Sequence, residues 1–177
     1  MKIKKFKFKK VRSTNNTAIR IIKKTKHNLG MVVAETQANG RGQYGRKWIS
    51  SKGNLFGSFF NELNKKKISI NAITKINCLL VKKLLSSFTN KKILFKKPND
   101  LLIDKKKISG ILQEVIFAKD KRFLITGIGI NIKKNPIIRN YPATNLHEVT
   151  KKSISKLKVE NKLKQLFEKK LSIFYKI

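Results

Sequence analysis

Polarity along the chain changes its period several times, and each change marks an element. From Ile3 to Val11 lysines alternate with Phe6, Phe8 and Val11, the two-residue repeat of a strand with one wet face. Ser13-Thr14-Asn15 follows, where Ser13 or Thr14 is placed to cap a helix running through Ala18, Ile19, Ile21 and Ile22 to about Lys26. Asn28-Leu29-Gly30 ends that helix, and Met31 to Thr36 is expected as a buried strand. A polar turn at Ser50-Ser51-Lys52-Gly53-Asn54 leads into an aromatic-rich strand, Leu55 to Glu62. From Ile70 to Phe88 the period becomes helical, with Ile73, Ile76, Leu80, Leu84 and Phe88 on one face and Ala72, Leu79 and Val81 widening it.

The second half is punctuated more tightly. Phe95 to Glu114 parses as strand, Pro-Asn-Asp turn, short strand, charged hairpin tip at Asp104 to Lys107, and long strand. Another turn at Lys119-Asp120-Lys121 precedes a strand from Phe123 to Ile132. Tyr141 to Leu146 is a turn or short connection. Ser153 is placed to cap a last helix with Leu157, Leu163, Leu166, Phe167, Leu171 and Phe174 inside. Strands and helices alternating with hairpins predict an α+β fold, a mixed and largely antiparallel β-sheet flanked by helices. No internal repeat, linker or second domain interrupts residues 1–177.

Composition changes this picture little. The 177 residues suit one domain, and the apolar runs are short. None approaches the roughly 20 apolar residues of a membrane helix. The basic N-terminus has no apolar signal-peptide centre. One cysteine, Cys78, excludes an internal disulfide, and two histidines with no Cys/His cluster argue against structural zinc. The net charge of +34 ordinarily points to nucleic acid or an anionic surface. Here only six of the 43 cationic residues are arginine, and the lysines are scattered among Ile, Asn and Phe, as an AT-biased coding sequence would produce. The lysine runs at 65–67, 105–107 and 151–152 read as solvated turns.

Two stretches carry candidate chemistry. Glu35 to Trp48 threads Arg41, Arg46 and Lys47 among Gly40, Gly42 and Gly45. Glycine lets a ligand approach the backbone, and arginine offers a planar fork to phosphate or carboxylate. The stretch reads either as a loop that closes over an anion or as a glycine-rich surface connection. Gly127-Ile128-Gly129-Ile130-Asn131 places glycines at alternate strand positions, leaving one face bare for a flat ligand, with Asn131 on that face.

Taken in order, Ser13-Thr14-Asn15, the 37–48 loop, Lys96-x-Pro98-Asn99-Asp100, Lys107-Ile108-x-Gly110-Ile111-Leu112, Gly127-x-Gly129-Ile130-Asn131 and Ala143-Thr144-x-Leu146 resemble the catalytic domain of biotin protein ligases over about residues 11–175. The resemblance implies the architecture shared with class II aminoacyl-tRNA synthetase catalytic domains. It implies a cytoplasmic enzyme that uses ATP and Mg²⁺ to convert biotin to biotinyl-5′-AMP. Biotin then passes to a lysine of a biotin carboxyl carrier domain, such as that of acetyl-CoA carboxylase. Neither a membrane nor a specific nucleic acid is expected as partner; a homodimer through the sheet edge is a family habit.

The resemblance also assigns residues. Ser13, Thr14, Asn15, Gln37, Gly40, Arg41, Gly42, Gln43, Lys107 and Gly110 fall to biotin. Arg46, Trp48, Asn99, Gly129 and Asn131 fall to the nucleotide. Arg41, Arg46, Lys96, Asp100 and Lys107 fall to catalysis, with no protein-held metal. Two positions depart from the family pattern. Gln43 stands where many members carry an arginine linked to retention of the adenylate, which implies a leakier intermediate. Lys97 replaces a usual tryptophan. Neither a helix-turn-helix module before the domain nor a small β-barrel after it is expected within residues 1–177, which would make this a reduced enzyme.

Three alternatives stand beside this reading. A lipoate–protein ligase or octanoyltransferase shares the fold, but the Gly-Arg-Gly-x-x-Gly-Arg loop and Lys-x-Pro-Asn-Asp favour biotin, and Cys78, in an apolar helical pattern, is poorly set as a nucleophile. A basic nucleic-acid-binding domain would account for the charge and leave the ordered motifs unexplained. An inactive, degraded ligase would account for the altered positions.

Overall fold

The alternating segments pair into one sheet. The computed structural model describes residues 2–63, 69–138 and 141–174. Among these, the elements are β1 (Lys5–Val11), α1 (Thr14–Lys24), β2 (Leu29–Gln37), β3 (Leu55–Glu62), α2 (Ile70–Ser86), β4 (Ile93–Lys96), β5 (Asp100–Ile103), β6 (Lys106–Ala118), β7 (Lys121–Ile130), α3 (Leu146–Thr150) and α4 (Lys156–Phe174). The sheet order is β1-β2-β3-β7-β6-β5-β4. Only β1 and β2 run parallel. A parallel pair needs a crossover, and α1 provides it. The expected mixed, largely antiparallel α+β sheet is what forms.

Both faces of the sheet are covered. On one, Ala18, Ile21 and Ile22 of α1 pack on Val32, Phe60, Phe123 and Ile125. On the other, α2 and α4 bury Met31, Val33, Phe59, Ile111, Ile128 and Ile130. Two tight hairpins set the register of β5, β6 and β7. Asp104 and Lys105 have φ of 48° and 61°, and Lys119 and Asp120 have 52° and 56°. Left-handed residues at both central positions match the twist of the flanking strands.

Several expected boundaries move. α1 ends at Lys24, and Gly30 lies inside β2, not at a helix end. It is needed there because a β-carbon would lie 2.4 Å from the Phe60 ring. Ser13 occupies the N-cap position of α1 without a side-chain capping bond. The buried face of α2 is rotated from the expected one. It centres on Thr74, Asn77, Cys78, Val81, Leu84 and Leu85, while Ala72 and Leu79 face solvent. Thr74 bonds to Gln113, and Asn77 donates to Thr126 Oγ1, so polar residues occupy a seam that an apolar-period argument assigns to its neighbours.

α3 was not anticipated; Asn145 caps it by accepting from Glu148 N at 2.8 Å. α4 starts later than a Ser153 cap implies, and Ser155 Oγ takes the Lys158 N–H. Leu157 is exposed. The Phe174 side chain and the lysines at 65–67 lie outside the described residues.

Phe59 of β3 and Phe167 of α4 stack with ring centroids 3.8 Å apart. Phe167→Ala should cost about 3 kcal/mol of stability by removing a buried aromatic. Urea denaturation checks this, with the midpoint expected to fall at unchanged slope.

Candidate functional site

Where α1 begins, the sheet face beneath it loses its side chains. Gly110 of β6 sits directly opposite Gly129 of β7, and Leu112 opposite Gly127. A cavity of about 750 Å³ opens over this patch, within the ordinary range for small-molecule sites. The patch is not bare, as the sequence suggested. A β-carbon at Gly129 would lie 2.4 Å from the Trp48 ring, one at Gly110 2.8 Å from it, and one at Gly127 2.4 Å from Asn15 Oδ1. The flat group on the glycines is the protein's own indole.

The polar end of the cavity is a closed network on the start of α1. Thr14 donates its backbone N–H (2.8 Å) and hydroxyl (3.1 Å) to Gln37 Oε1. Gln37 Nε2 donates to Ser50 Oγ at 3.0 Å. Ser58 Oγ lies 2.8 Å from Thr14 Oγ1 and 2.5 Å from Asn15 Oδ1, so its single proton serves one of them at a time. Asn15 Nδ2 donates to Glu114 Oε2 at 2.6 Å. Ser13, Thr14 and Asn15 are all buried.

The glycine loop is an ordered hairpin. Trp48 N donates to Gly40 O at 2.9 Å, Gly42 N to Arg46 O at 2.6 Å, and Arg41 bridges Lys47 across it. The tip is a 3-10 turn at Gln43–Gly45, with Tyr44 at φ 54°. The hairpin brings Arg41, Gly42, Gln43, Arg46 and Trp48 to the cavity wall. Gly40 is not on that wall. It is buried behind the hairpin, where a β-carbon would meet Trp48 O at 2.5 Å. Arg41 Nη2 lies 2.8 and 2.6 Å from the two oxygens of Glu114, so the arginine is neutralised in the ligand-free chain.

The opposite wall carries a second paired cation. Lys107 Nζ lies 2.8 Å from Asp100 Oδ1 and sits over the rings of Trp48 and Tyr141, 5.3 and 5.2 Å from their centroids. Lys96 lies over the same Tyr141 ring at 4.9 Å. The Tyr141 hydroxyl donates to Asp100 Oδ2. Burial, then that hydrogen bond and the charge of Asp100, push the Tyr141 pKa up, so the phenol keeps its proton at neutral pH. Asn99 and Asn131 line the cavity but use their amide groups on backbone. Asn99 donates to Ile111 O at 2.7 Å, and Asn131 to Thr144 O at 3.1 Å.

The residues anticipated for the site therefore share this one cavity, Gly40 excepted. Sequence reasoning missed Glu114, Ser58 and Tyr141. Glu114 follows the Gly-Ile-Leu run at the strand position that alternation puts on the face of Gly110 and Leu112, and it pairs there with Asn15 and Arg41. Tyr141 gave no signal, because its placement depends on a backbone pairing far along the chain. Among the described residues no group of three or more His, Cys, Asp or Glu side chains is arranged to hold a metal ion.

The sequence and fold are similar to those of known proteins. Residues 7–131 match the family described as biotin/lipoate A/B protein ligase. The chain is 29% identical over 168 residues to the bifunctional ligase/repressor BirA of Bacillus subtilis, covering 89% of this chain and 50% of that protein. It thus spans about half the length of that relative. The biotin protein ligase of Aquifex aeolicus, solved with biotin and ATP, superposes with a TM-score of 0.80 at 33% identity, over 97% of this chain and 71% of the other. The biotin protein ligase of Leishmania major, solved with biotinyl-5-AMP, gives 0.79 at 25% identity, over 92% and 72%.

Trp48 is the one tryptophan in the chain, so its fluorescence reports the glycine patch directly. Gly129→Ala should expel the indole and shift its emission to the red; unchanged emission would remove the indole from the glycines. Cys78 is buried, and burial, aided by the negative charge of Asp100, pushes its thiol up to about 12. The native chain should not react with a thiol-specific disulfide reagent at pH 8, and should react at once when unfolded.

Proposed function

The chain belongs to the biotin/lipoate A/B protein ligase family, and we propose that it activates biotin with ATP and transfers it to a lysine of a biotin carboxyl carrier domain. The observation that carries this reading is the gathering of Arg41 and Arg46 of one hairpin, Lys96 of β4 and Lys107 of β6 onto one cavity with a polar, hydrogen-bonding end. That is the arrangement needed to bring a carboxylate anion up to a polyanion.

In the first step the biotin carboxylate attacks the α-phosphorus of ATP. A carboxylate with a pKa of about 4.3 is ionised at pH 7, so no base is required. The barrier is electrostatic, and positioned cations lower it. A C–O–P bond forms, and pyrophosphate leaves as its bond to the α-phosphorus breaks. Mg²⁺ would enter on the ATP phosphates and supply further positive charge to the leaving group. Arg41 and Lys107 exchange their carboxylate partners, Glu114 and Asp100, for the substrate anions. Ser13, Thr14, Asn15 and Gln37 form the biotin end, with Gly42, Gln43 and Gly110 along the acyl chain. Arg46, Trp48, Asn99, Gly129 and Asn131 form the nucleotide end.

In the second step an acceptor amine attacks the acyl carbon, an amide forms, and AMP departs with the electrons of the broken C–O bond. Lysine, with a pKa of about 10.4, must lose a proton to react. Asp100 is the carboxylate set at the cavity to orient and accept from that amine. Gln43 supplies no positive charge at the hairpin tip, so the intermediate is held less tightly and escapes to label bystander lysines.

Lipoate is the alternative acid within the family. The Gly-Arg-Gly-x-x-Gly-Arg loop favours biotin, and the buried Cys78 does not line the cavity that a thioester-forming nucleophile would need to reach. Incubation with ATP and either acid decides between them: biotin-dependent pyrophosphate release is expected, and release with lipoate alone would overturn the assignment. Asp100→Asn should retain adenylate formation while slowing acceptor labelling about a hundredfold, measured by labelled biotin incorporation; unaltered labelling would remove Asp100 from the mechanism.

A further inference from the structure

Tyr141 lies outside every motif that defines the site, yet it touches three of its charged groups. Its hydroxyl donates to Asp100 Oδ2, and its ring faces the ammonium groups of Lys96 and Lys107. Backbone pairing delivers it there. Lys107 N donates to Pro142 O at 2.8 Å, and Thr144 N donates to Lys107 O at 2.9 Å. A parallel bridge joins Lys107 to Ala143. Tyr141 is therefore fixed to the same stretch of backbone that carries Lys107.

We infer that Tyr141 is a positioning residue for Asp100 in the acyl-transfer step, a role that rests on the function proposed above. In the ligand-free chain Asp100 has two partners, one on each oxygen: Lys107 on Oδ1 and Tyr141 on Oδ2. When Lys107 moves to the phosphate and carboxylate of the substrates, Oδ1 loses its cation. Asp100 is 8% exposed, so it cannot recover that partner from bulk water without moving. The phenol holds Oδ2 through this exchange. It leaves Oδ1 as the free acceptor, directed into the space that Lys107 has vacated, where the acceptor amine arrives. The ring makes a separate contribution. Within 4.9 and 5.2 Å of their ammonium groups, the electron-rich ring favours Lys96 and Lys107 at the cavity.

The hydroxyl and the ring can be tested apart. Tyr141→Phe keeps the ring and removes the donor; Tyr141→Leu removes both. Two rates are read on the full chain: biotin-dependent pyrophosphate release with hydroxylamine present as an easily deprotonated trap, and single-turnover transfer from synthetic biotinyl-5′-AMP to a purified biotin carboxyl carrier domain. Tyr141→Phe should slow transfer about tenfold at an unchanged acceptor KM while slowing pyrophosphate release less than about threefold, because only the orientation of Asp100 is lost. Tyr141→Leu should impair both steps and raise the KM for biotin. Equal losses in both steps for Tyr141→Phe, or transfer at the parental rate, overturn the role of Tyr141 while leaving the proposed function standing. A parent chain that releases no pyrophosphate with biotin overturns the proposed function, and this role with it.

Discussion

At Gly127 and Gly129 a β-carbon would fall 2.4 Å from a neighbouring side chain, and at Gly110 2.8 Å. This steric limit on adjacent strands makes the cavity. With glycine at those three positions, α1 can present Thr14 and Asn15 over one end of the patch, and the hairpin can lay Trp48 over the other. The remaining geometry follows from those two placements. Trp48 on the glycines gives Lys107 an aromatic face, and Asn15 over Gly127 reaches Glu114, which in turn holds Arg41.

Charge is organised within this frame and not by the overall excess of lysine. In a chain of net charge +34, acidic residues are few, and two of the nine pair with cations of the cavity wall, Glu114 with Arg41 and Asp100 with Lys107. Both pairs are partly shielded from solvent, where an unpaired ammonium or guanidinium would repel its neighbours and carry a desolvation cost. In the proposed reaction each internal carboxylate holds the place that a substrate anion would take. The cavity is thus kept in a binding geometry before any anion enters, which lowers the ordering cost of catalysis.

Much of this was legible in the sequence, and the reasons for the rest are specific. Strands with one wet face and hairpins with charged tips show their period directly, so the sheet and its antiparallel bias could be read. Local pattern read the lysines at 105–107 as a solvated turn; it was the resemblance to biotin protein ligases that singled out Lys96, Asp100 and Lys107. The failures share a cause: tertiary partners override local pattern. α2 turns Thr74 and Asn77 inward because Gln113 and Thr126 wait on the sheet. Gly30 marks a Phe60 contact and not a helix end. The alternate glycines were legible, but the bare face read from them is covered, because local sequence gave no sign that Trp48 and Asn15 would lie over it. Tyr141 and α3 are placed by long-range backbone pairing of their segment with Lys107, Asn131 and Ile132.

The central claim is that substrate anions replace the internal carboxylates at Lys107 and Arg41. Its most direct test is a crystal structure of the chain bound to a hydrolysis-resistant sulfamoyl analogue of biotinyl-5′-AMP. The account predicts Lys107 Nζ withdrawn from Asp100 and within hydrogen-bonding distance of the linkage between the biotinyl and adenosyl groups, with Arg41 released from Glu114 toward the same linkage. An analogue seated in the cavity with both internal pairs intact would contradict it.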